Sequence, residues 1–99
     1  MPRESDYQNR LIKLIEREVL PGSVVIKSDP ARYQGHPDLI IFYGPYWAML
    51  EVKMSASSPV QPNQPYWVEQ FDNMGFAAFI YPENEEEVLD ALQSALGAG

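Results

Sequence analysis

The chain has 99 residues, no cysteine and a formal net charge of −7 at pH 7. This length predicts a single small domain over residues 1–99, and the lack of cysteine excludes a disulfide framework and thiolate metal ligands. No apolar run approaches the ~20 residues that span a bilayer, and no signal peptide is recognisable. We therefore expect a cytoplasmic protein with no membrane partner.

The negative charge disfavours nucleic acid as a partner, because contacts with phosphate groups favour basic surfaces. Its uneven distribution weakens that objection. Residues 83–99 contain five acids and no Lys or Arg, whereas residues 1–82 contain seven bases and nine acids, a net charge of −2. The acidic surface also leaves open a second use of the chain, as a binding module for a basic partner.

The first twenty residues have the spacing of an amphipathic helix that ends at Pro21-Gly22. Glu4 and Gln8 fall on its apolar face, so Glu4 either reaches a site or only stabilises the positive helix end, with Ser5 and Gln8 as a capping box. The opposite face carries a basic stripe, which either follows a phosphate backbone or is a solvated surface. Its members are Arg3, Arg10, Lys13 and Arg17.

A first strand is predicted over residues 24–27, and a loop follows it. Lys27 ends the strand and Arg32 lies in the loop, so each is a candidate phosphate contact or plain surface charge. His36 is the only histidine and directly precedes Pro37-Asp38. A lone histidine is more often structural than catalytic, and no partners for a catalytic triad are placed beside it.

The next two strands are apolar on both faces, which predicts a sheet buried on both sides. If residues 43–46 form the loop between them, Phe42 pairs with Trp47, and Asp38 lies opposite Glu51 with Cβ atoms roughly 5 Å apart. Two carboxylates at that distance repel each other unless a proton or a cation lies between them. Mg²⁺ or Mn²⁺ suits such an oxygen-only site.

Lys53 lies two residues after Glu51 and therefore on the same face of the sheet. It can stabilise developing negative charge beside the metal or help to deprotonate a water. Residues 54–63, which contain two prolines, predict a loop at the mouth of this site.

The rest of the chain predicts a helix, a strand and a final helix. Gln64-Pro65 begins the first helix, which ends at Gly75, and residues 77–81 form the fourth strand. Asn84 as N-cap with Glu87 predicts a capping box for the last helix. The element order is αβββαβα, which places a central mixed four-stranded sheet between helices.

These residues resemble a known family. Pro37-Asp38, followed after twelve residues by Glu51-Val52-Lys53, is similar to the signature of the PD-(D/E)XK nuclease superfamily. The flanking pattern resembles its small VRR-NUC branch, and the resemblance covers roughly residues 4–81. That pattern comprises Gly35-x-Pro37-Asp38-Leu39-Ile40, the opening Glu4-Ser5-Asp6-Tyr7-Gln8, and Gln64 with Gly75 eleven residues later.

The resemblance implies a single α/β domain with the restriction-endonuclease-like fold and a metal-dependent DNA endonuclease. Asp38, Glu51 and the backbone carbonyl of Val52 would hold Mg²⁺ or Mn²⁺, with Glu4 assisting. Lys53 would orient or activate water, and Gln64 would position water or phosphate, with Gln61 as its rival.

A domain this small offers little surface to hold a DNA duplex, so we expect a homodimer, and the resemblance implies action on branched DNA such as a Holliday junction. The same residues leave two alternatives open. One is a nuclease for flap or single-stranded DNA or for RNA; the other is a non-catalytic interaction module that keeps the fold.

Overall fold

The computed structural model describes residues 3–28, 37–61 and 63–97. Within these ranges the elements follow the predicted αβββαβα order, with two short helical additions. The additions are a π-helical segment, Ile15–Val19, and a 3₁₀ turn, Pro82–Asn84. The main elements are α1 (Glu4–Leu14), β1 (Val24–Lys27), β2 (Leu39–Tyr43), β3 (Tyr46–Val52), α2 (Gln64–Met74), β4 (Phe76–Ile80) and α3 (Glu85–Ala95). No helix in the described ranges combines the length and apolarity needed to cross a membrane.

The four strands form one mixed sheet in the order β1-β2-β3-β4. β2 is antiparallel to both β1 and β3, whereas β3 and β4 are parallel and are joined through α2. Phe42 pairs with Trp47, so the predicted hairpin register is confirmed. The predicted four-residue loop is shorter than expected, because Tyr43 and Tyr46 are also paired. Gly44, with φ +58°, opens the remaining two-residue turn.

One face of the sheet, which we call the inner face, is covered by α1, the π-helical segment and α3. Leu39, Ile41, Leu50 and Ile80 on this face are fully buried. The helices contribute the other half of the core: Tyr7, Leu11, Ile15, Leu20, Val88, Leu89, Leu92 and Leu96. Every second residue of the strands points to this face, and the apolar residues at helical spacing in α1 and α3 pack against them.

The opposite, outer face is covered by α2, which packs on β3 and β4. Over β1 and β2 this face stays open, with Val24 53%, Ile26 49% and Phe42 45% exposed. The prediction of a sheet buried on both sides is therefore wrong for this half of the outer face. A single helix is too narrow to cover four strands.

The helix ends differ in part from prediction. α1 begins at Glu4, so Ser5 is already inside the helix; the carboxylate of Asp6 accepts a hydrogen bond from Arg3 N instead. α2 runs from Gln64 to Met74 as predicted. The predicted capping box of α3 is wrong, because Asn84 turns its side chain to the backbone before it. Its Oδ1 accepts from Tyr81 N at 2.9 Å, and its Nδ2 donates to Phe79 O at 3.1 Å.

Candidate metal and active site

Asp38 and Glu51 meet at the end of the hairpin. Leu39 pairs with Leu50, so the next position along each strand places Asp38 opposite Glu51. Asp38 lies just before β2, where its Oδ2 accepts a hydrogen bond from Val52 N at 3.0 Å. This hydrogen bond from the backbone of β3 to the side chain of Asp38 holds the Asp38 carboxylate beside Glu51.

Glu51 is 0% exposed, and it lies in β3 at the junction with the loop that leads to α2. Neither of its carboxylate oxygens has a hydrogen-bond partner among the described atoms. A buried carboxylate without a partner is costly, because the apolar surroundings do not replace the water it has lost. Glu51 is therefore the least satisfied polar group in the described core.

Burial raises the pKa of Glu51 from its ordinary value of 4.5 to about 9, and the neighbouring Asp38 carboxyl acts in the same direction. The charge of Lys53 lowers this pKa and that of Glu4 raises it, both by less. The Asp38 carboxyl is close enough to disfavour the charged form of Glu51. At neutral pH the pair therefore retains a proton, unless a cation takes its place.

Lys53 follows β3 directly, and its ammonium group donates hydrogen bonds to the β3–α2 loop and to the first residue of α2. Nζ donates to Gln64 Oε1 at 2.6 Å and to the carbonyl of Pro59 at 3.1 Å. Gln64 Oε1 also accepts from Gln61 N at 2.9 Å. The structure thus brings Gln64, rather than the Gln61 side chain, into contact with Lys53. With its oxygen occupied twice, Gln64 has its amide NH₂ group left as the donor for other partners.

The loop between β3 and α2 is held by hydrogen bonds that the sequence did not reveal. Ser55 N donates to Ser58 Oγ at 3.0 Å, and Ala56 N donates to Glu83 Oε2 at 3.2 Å. The serine-rich composition of residues 54–58 is the only sequence feature that could have suggested a self-bonded loop. The loop therefore begins and ends at site residues and is tied to the rest of the fold in between.

Glu4 lies in the first turn of α1, exposed at the surface but within electrostatic reach of the site. Partial burial raises the pKa of its carboxyl, the charge of Asp38 raises it as well, and Lys53 lowers it. The start of α1 is thus close enough to the strand ends for the charges of Asp38 and Lys53 to act on Glu4. Its role toward a metal stays a prediction.

The donors present suit a hard divalent cation only in part. No group of three or more His, Cys, Asp or Glu residues converges on one point in the ranges that the structure describes. Asp38 and Glu51 nevertheless provide two adjacent carboxylates, and the unpartnered oxygens of Glu51 are the groups that a cation would satisfy. Oxygen ligands with room for water fit Mg²⁺ or Mn²⁺. The backbone carbonyl of Val52 and the carboxylate of Glu4 stay the predicted additional ligands.

The basic residues predicted to contact nucleic acid have different surroundings. Arg10 pairs with Glu85 at 2.7 Å, so its guanidinium joins α1 to α3. Lys13, Arg17 and Lys27 are exposed. Arg32 lies outside the described residues, as does His36. Binding of nucleic acid by this set stays a prediction.

A second cluster, formed by Tyr7, Arg10 and Glu85, was not recognised in the sequence. Tyr7 Oη donates to Glu85 Oε1 at 2.9 Å, and the Arg10 guanidinium lies 5.0 Å from the centre of the Tyr7 ring. Burial alone would raise the pKa of Glu85, but hydrogen bonds from Arg10 and Tyr7 and the charge of Arg10 outweigh it, and the pKa is lowered. Residues 75 or more positions apart in the sequence form this cluster, so no local pattern predicts it.

The chain matches no protein-family profile and no curated protein sequence. Its backbone is similar to solved structures of the restriction-endonuclease-like class. One is described as a VRR_NUC domain protein, with a TM-score of 0.68 and 22% identity over 99% of this chain and 91% of that chain. Another is Hjc, a Holliday junction resolvase from Archaeoglobus fulgidus, with a TM-score of 0.50 and 17% identity over 77% of this chain and 67% of that chain. The fold implied by the PD-(D/E)XK and VRR-NUC resemblance is therefore confirmed.

Proposed function

We propose that this protein is a divalent-metal-dependent nuclease that hydrolyses phosphodiester bonds in DNA and acts as a homodimer. The observation that carries the proposal is the buried Glu51 carboxylate, which has no hydrogen-bond partner among the described atoms and lies beside Asp38. A protein retains such an unfavourable group where function requires it. The shared fold with a VRR_NUC domain protein and with a Holliday junction resolvase supports the same function.

Asp38 and Glu51 would hold the cation, with Val52 O and Glu4 as further oxygen ligands. A divalent cation held there would supply Lewis-acid chemistry, namely activation of water and neutralisation of charge on the phosphate. The hydrogen bond from Val52 N keeps the Asp38 carboxylate in place before any cation arrives. The two carboxylates would then be ionised together, because the cation removes the repulsion that otherwise retains a proton.

Lys53 and Gln64 would act on the phosphate. Lys53 Nζ is oriented by Gln64 Oε1 at 2.6 Å, and its positive charge acts on the Glu51 carboxyl and lowers the pKa of that group. There it stabilises the negative charge that forms on the phosphate oxygens as water attacks phosphorus. The amide NH₂ of Gln64, whose oxygen is engaged, donates a hydrogen bond to the phosphate or to the attacking water.

We further propose that the substrate is branched DNA, such as a four-way junction. The resolvase with this fold supports the choice. The exposed bases Lys13, Arg17 and Lys27, with Arg10 and Arg32, would contact phosphates along the DNA arms. Because the chain carries a net charge of −7, we expect weak binding that depends on divalent cations and on salt concentration.

Cleavage of labelled four-way junction, flap, linear duplex, single-stranded DNA and RNA, with Mn²⁺ and then Mg²⁺, tests this function. We expect cleavage of the junction by the wild type and its loss in Asp38→Asn, Glu51→Gln and Lys53→Met. Asp90→Asn is the matched control, because Asp90 is exposed and belongs to α3, which contributes no residue to the proposed site. It should cleave like the wild type.

Thermal unfolding with and without divalent cation is the companion measurement, since a ligand that binds only the native state stabilises it. If no substrate is cut and the cation does not raise the Tm, the nuclease proposal is wrong. The acidic surface would then favour the alternative of a non-catalytic interaction module. A preference for flap, single-stranded DNA or RNA would instead revise only the substrate.

A further inference from the structure

The open half of the outer sheet face is a continuous apolar surface. We call it the open strip: Val24 and Ile26 of β1, with Ile40 and Phe42 of β2. Val24 pairs with Phe42, and Ile26 pairs with Ile40, so the four side chains stand side by side on one face. Three of them are about half exposed, at 53%, 49% and 45% for Val24, Ile26 and Phe42. None of the four is charged.

The geometry of the layers explains why this strip is uncovered. Neighbouring strands lie about 4.8 Å apart, whereas a helix with its side chains is about 10 Å across, so one helix covers two strands. The inner face has α1 and α3 for its four strands. In the part of the chain that the structure describes, the outer face has only α2, which packs on β3 and β4. One more helix of the same width would complete this layer.

The flank of α2 that faces the open strip is itself apolar. Trp67 stacks on Phe71 with ring centres 5.5 Å apart, and Phe71 meets Trp47 of β3 edge to face at 6.4 Å. Met74 is 68% exposed and Tyr66 is 56% exposed on the same helix. Helical spacing places both acids of α2, Glu69 and Asp72, away from Trp67 and Met74, although Glu69 follows the exposed Tyr66 by three residues and is its neighbour on the helix. Asp72 Oδ1 accepts a hydrogen bond from Ala77 N of β4.

We infer that a second copy of this chain covers the open strip, with the α2 helix of each copy lying over β1 and β2 of the other. A two-fold axis makes such an interface self-complementary, because each copy supplies the helix that the other lacks. The charge distribution supports a second copy as the occupant. Two chains of net charge −7 repel each other least where acids are fewest, and neither the open strip nor the side of α2 that carries Trp67 and Met74 contains an acid.

The available area also suits a dimer. Half-exposed branched and aromatic side chains each leave on the order of 100 Å², so the open strip and Tyr66 together offer roughly 400 Å² of apolar surface. A standard interface buries about 800 Å² on each partner, rather more than half of it apolar. Asp38 directly precedes β2, so the interface would adjoin the candidate site. The inference rests on the proposed function and deepens it by naming the surface that joins two copies.

Sedimentation velocity without metal or DNA tests the interface independently of cleavage, so the dimer and the nuclease activity can fail separately. We expect the wild type to have twice the chain mass of 11.3 kDa, falling toward one chain mass on dilution. Phe42→Glu and Ile26→Glu should have the mass of one chain at the same concentration. Tyr46→Glu is the matched control, because Tyr46 is 52% exposed but belongs to the inner-face set of β3. It should remain a dimer.

A wild type with the mass of one chain at every concentration would overturn the inference, and so would an unchanged dimer in Phe42→Glu and Ile26→Glu. Far-UV circular dichroism checks that the variants fold. If the strand variants unfold, Tyr66→Glu gives the same test from the exposed side of α2. Loss of the dimer in Tyr66→Glu supports the interface, and its retention there overturns it.

Discussion

Glu51 and Glu85 are both withdrawn from solvent, yet their carboxylates have opposite surroundings. Glu85 accepts hydrogen bonds from Tyr7 and from Arg10 at 2.9 and 2.7 Å, and its pKa is lowered. Glu51 is fully buried, has no hydrogen-bond partner among the described atoms and lies beside Asp38, and its pKa is raised. The first carboxylate is completed by its own chain. The second has no such partners among the described residues and retains a proton at neutral pH unless a cation takes its place.

This difference distinguishes Glu85, an acid with a structural role, from Glu51, the acid for which we propose a function. The Glu85 cluster joins α1 to α3 and is satisfied, as buried polar groups in native proteins generally are. Glu51 is held on a rigid strand next to another acid, where its ionised form is costly without a cation. The most sensitive experiments therefore substitute one glutamate at a time and measure both the cleavage rate and the stability of each variant.

The largest effect is expected from Glu51→Gln. Loss of the charge should reduce cleavage at least about 100-fold and abolish the rise in Tm on adding Mn²⁺, because the cation loses a ligand. Glu85→Gln should keep both the cleavage and the metal-induced rise. Cleavage rates and thermal unfolding of the two variants provide the measurement. Equal loss of cleavage in both, with both folded, would mean that the contrast between the two acids is unrelated to function.

A pH dependence of stability should follow from the raised pKa of Glu51. The folded state binds a proton that the unfolded state releases above its ordinary pKa of 4.5, so this stabilisation is fully present below that value and is lost as pH rises toward about 9. In the presence of EDTA the free energy of unfolding should fall by up to about 1.4 kcal/mol per pH unit in this interval. Urea unfolding at several pH values measures it.

Glu51→Gln should remove that pH dependence and be more stable than the wild type at alkaline pH without metal, because the amide never ionises. A steep dependence that persists in Glu51→Gln would assign it to another group. Saturating Mn²⁺ should flatten the wild-type profile, since the cation replaces the proton.

A smaller effect is expected at the Glu85 cluster. Arg10→Met removes an ion pair whose Arg10 side chain is 56% exposed, so solvent screening limits the loss to about 1 kcal/mol of unfolding free energy. Because the pKa of Glu85 is lowered, the stabilisation from this pair depends on pH. It is present at neutral pH and is lost as pH falls below 4.5, the ordinary pKa of a glutamate. Arg3→Met is the matched control, because the contact of Arg3 with Asp6 is 3.9 Å long and exposed. The difference in unfolding free energy between the two variants gives the contribution of the Arg10–Glu85 pair.

The smallest effect is expected from Glu4→Gln. Glu4 is exposed, and it is linked to Asp38 and Lys53 only through their charges. We expect cleavage to fall less than about tenfold, with a weaker affinity for the cation, because a ligand at the rim is replaced by water at small cost. A titration of cleavage rate against Mn²⁺ distinguishes this result. A loss as large as that of Glu51→Gln would make Glu4 a principal ligand.

The sequence predicted the parts of this molecule that depend on short-range patterns. The hairpin register follows from alternation around Gly44, and the spacing of residues on either side of that turn is enough to place Asp38 opposite Glu51. The bounds of α2 follow from Pro65 and Gly75. Contacts between distant segments are not predictable from such patterns: the basic stripe gives no sign that Arg10 pairs with Glu85, which lies 75 positions away.

The open outer face shows a second limit of sequence patterns. Val24, Ile26 and Phe42 are as apolar as the residues beneath α2, so their composition alone predicts burial. Whether they are covered depends on how many helices reach that face. That number depends on the path of the chain, or on a second copy of it, and is not encoded in the strands.

The sequential pairing of β1, β2 and β3 has a consequence for the order of folding. These strands are joined by local antiparallel contacts, whereas β4 pairs with β3 only after α2 has crossed the sheet. Local contacts form early, so the hairpin brings the Asp38 and Glu51 carboxylates together before Gln64 can contact Lys53. In alkaline solution without divalent cation this repulsion should slow refolding, and stopped-flow kinetics should show Asp38→Asn refolding faster than the wild type. The acid pair would thus be a kinetic barrier as well as a site.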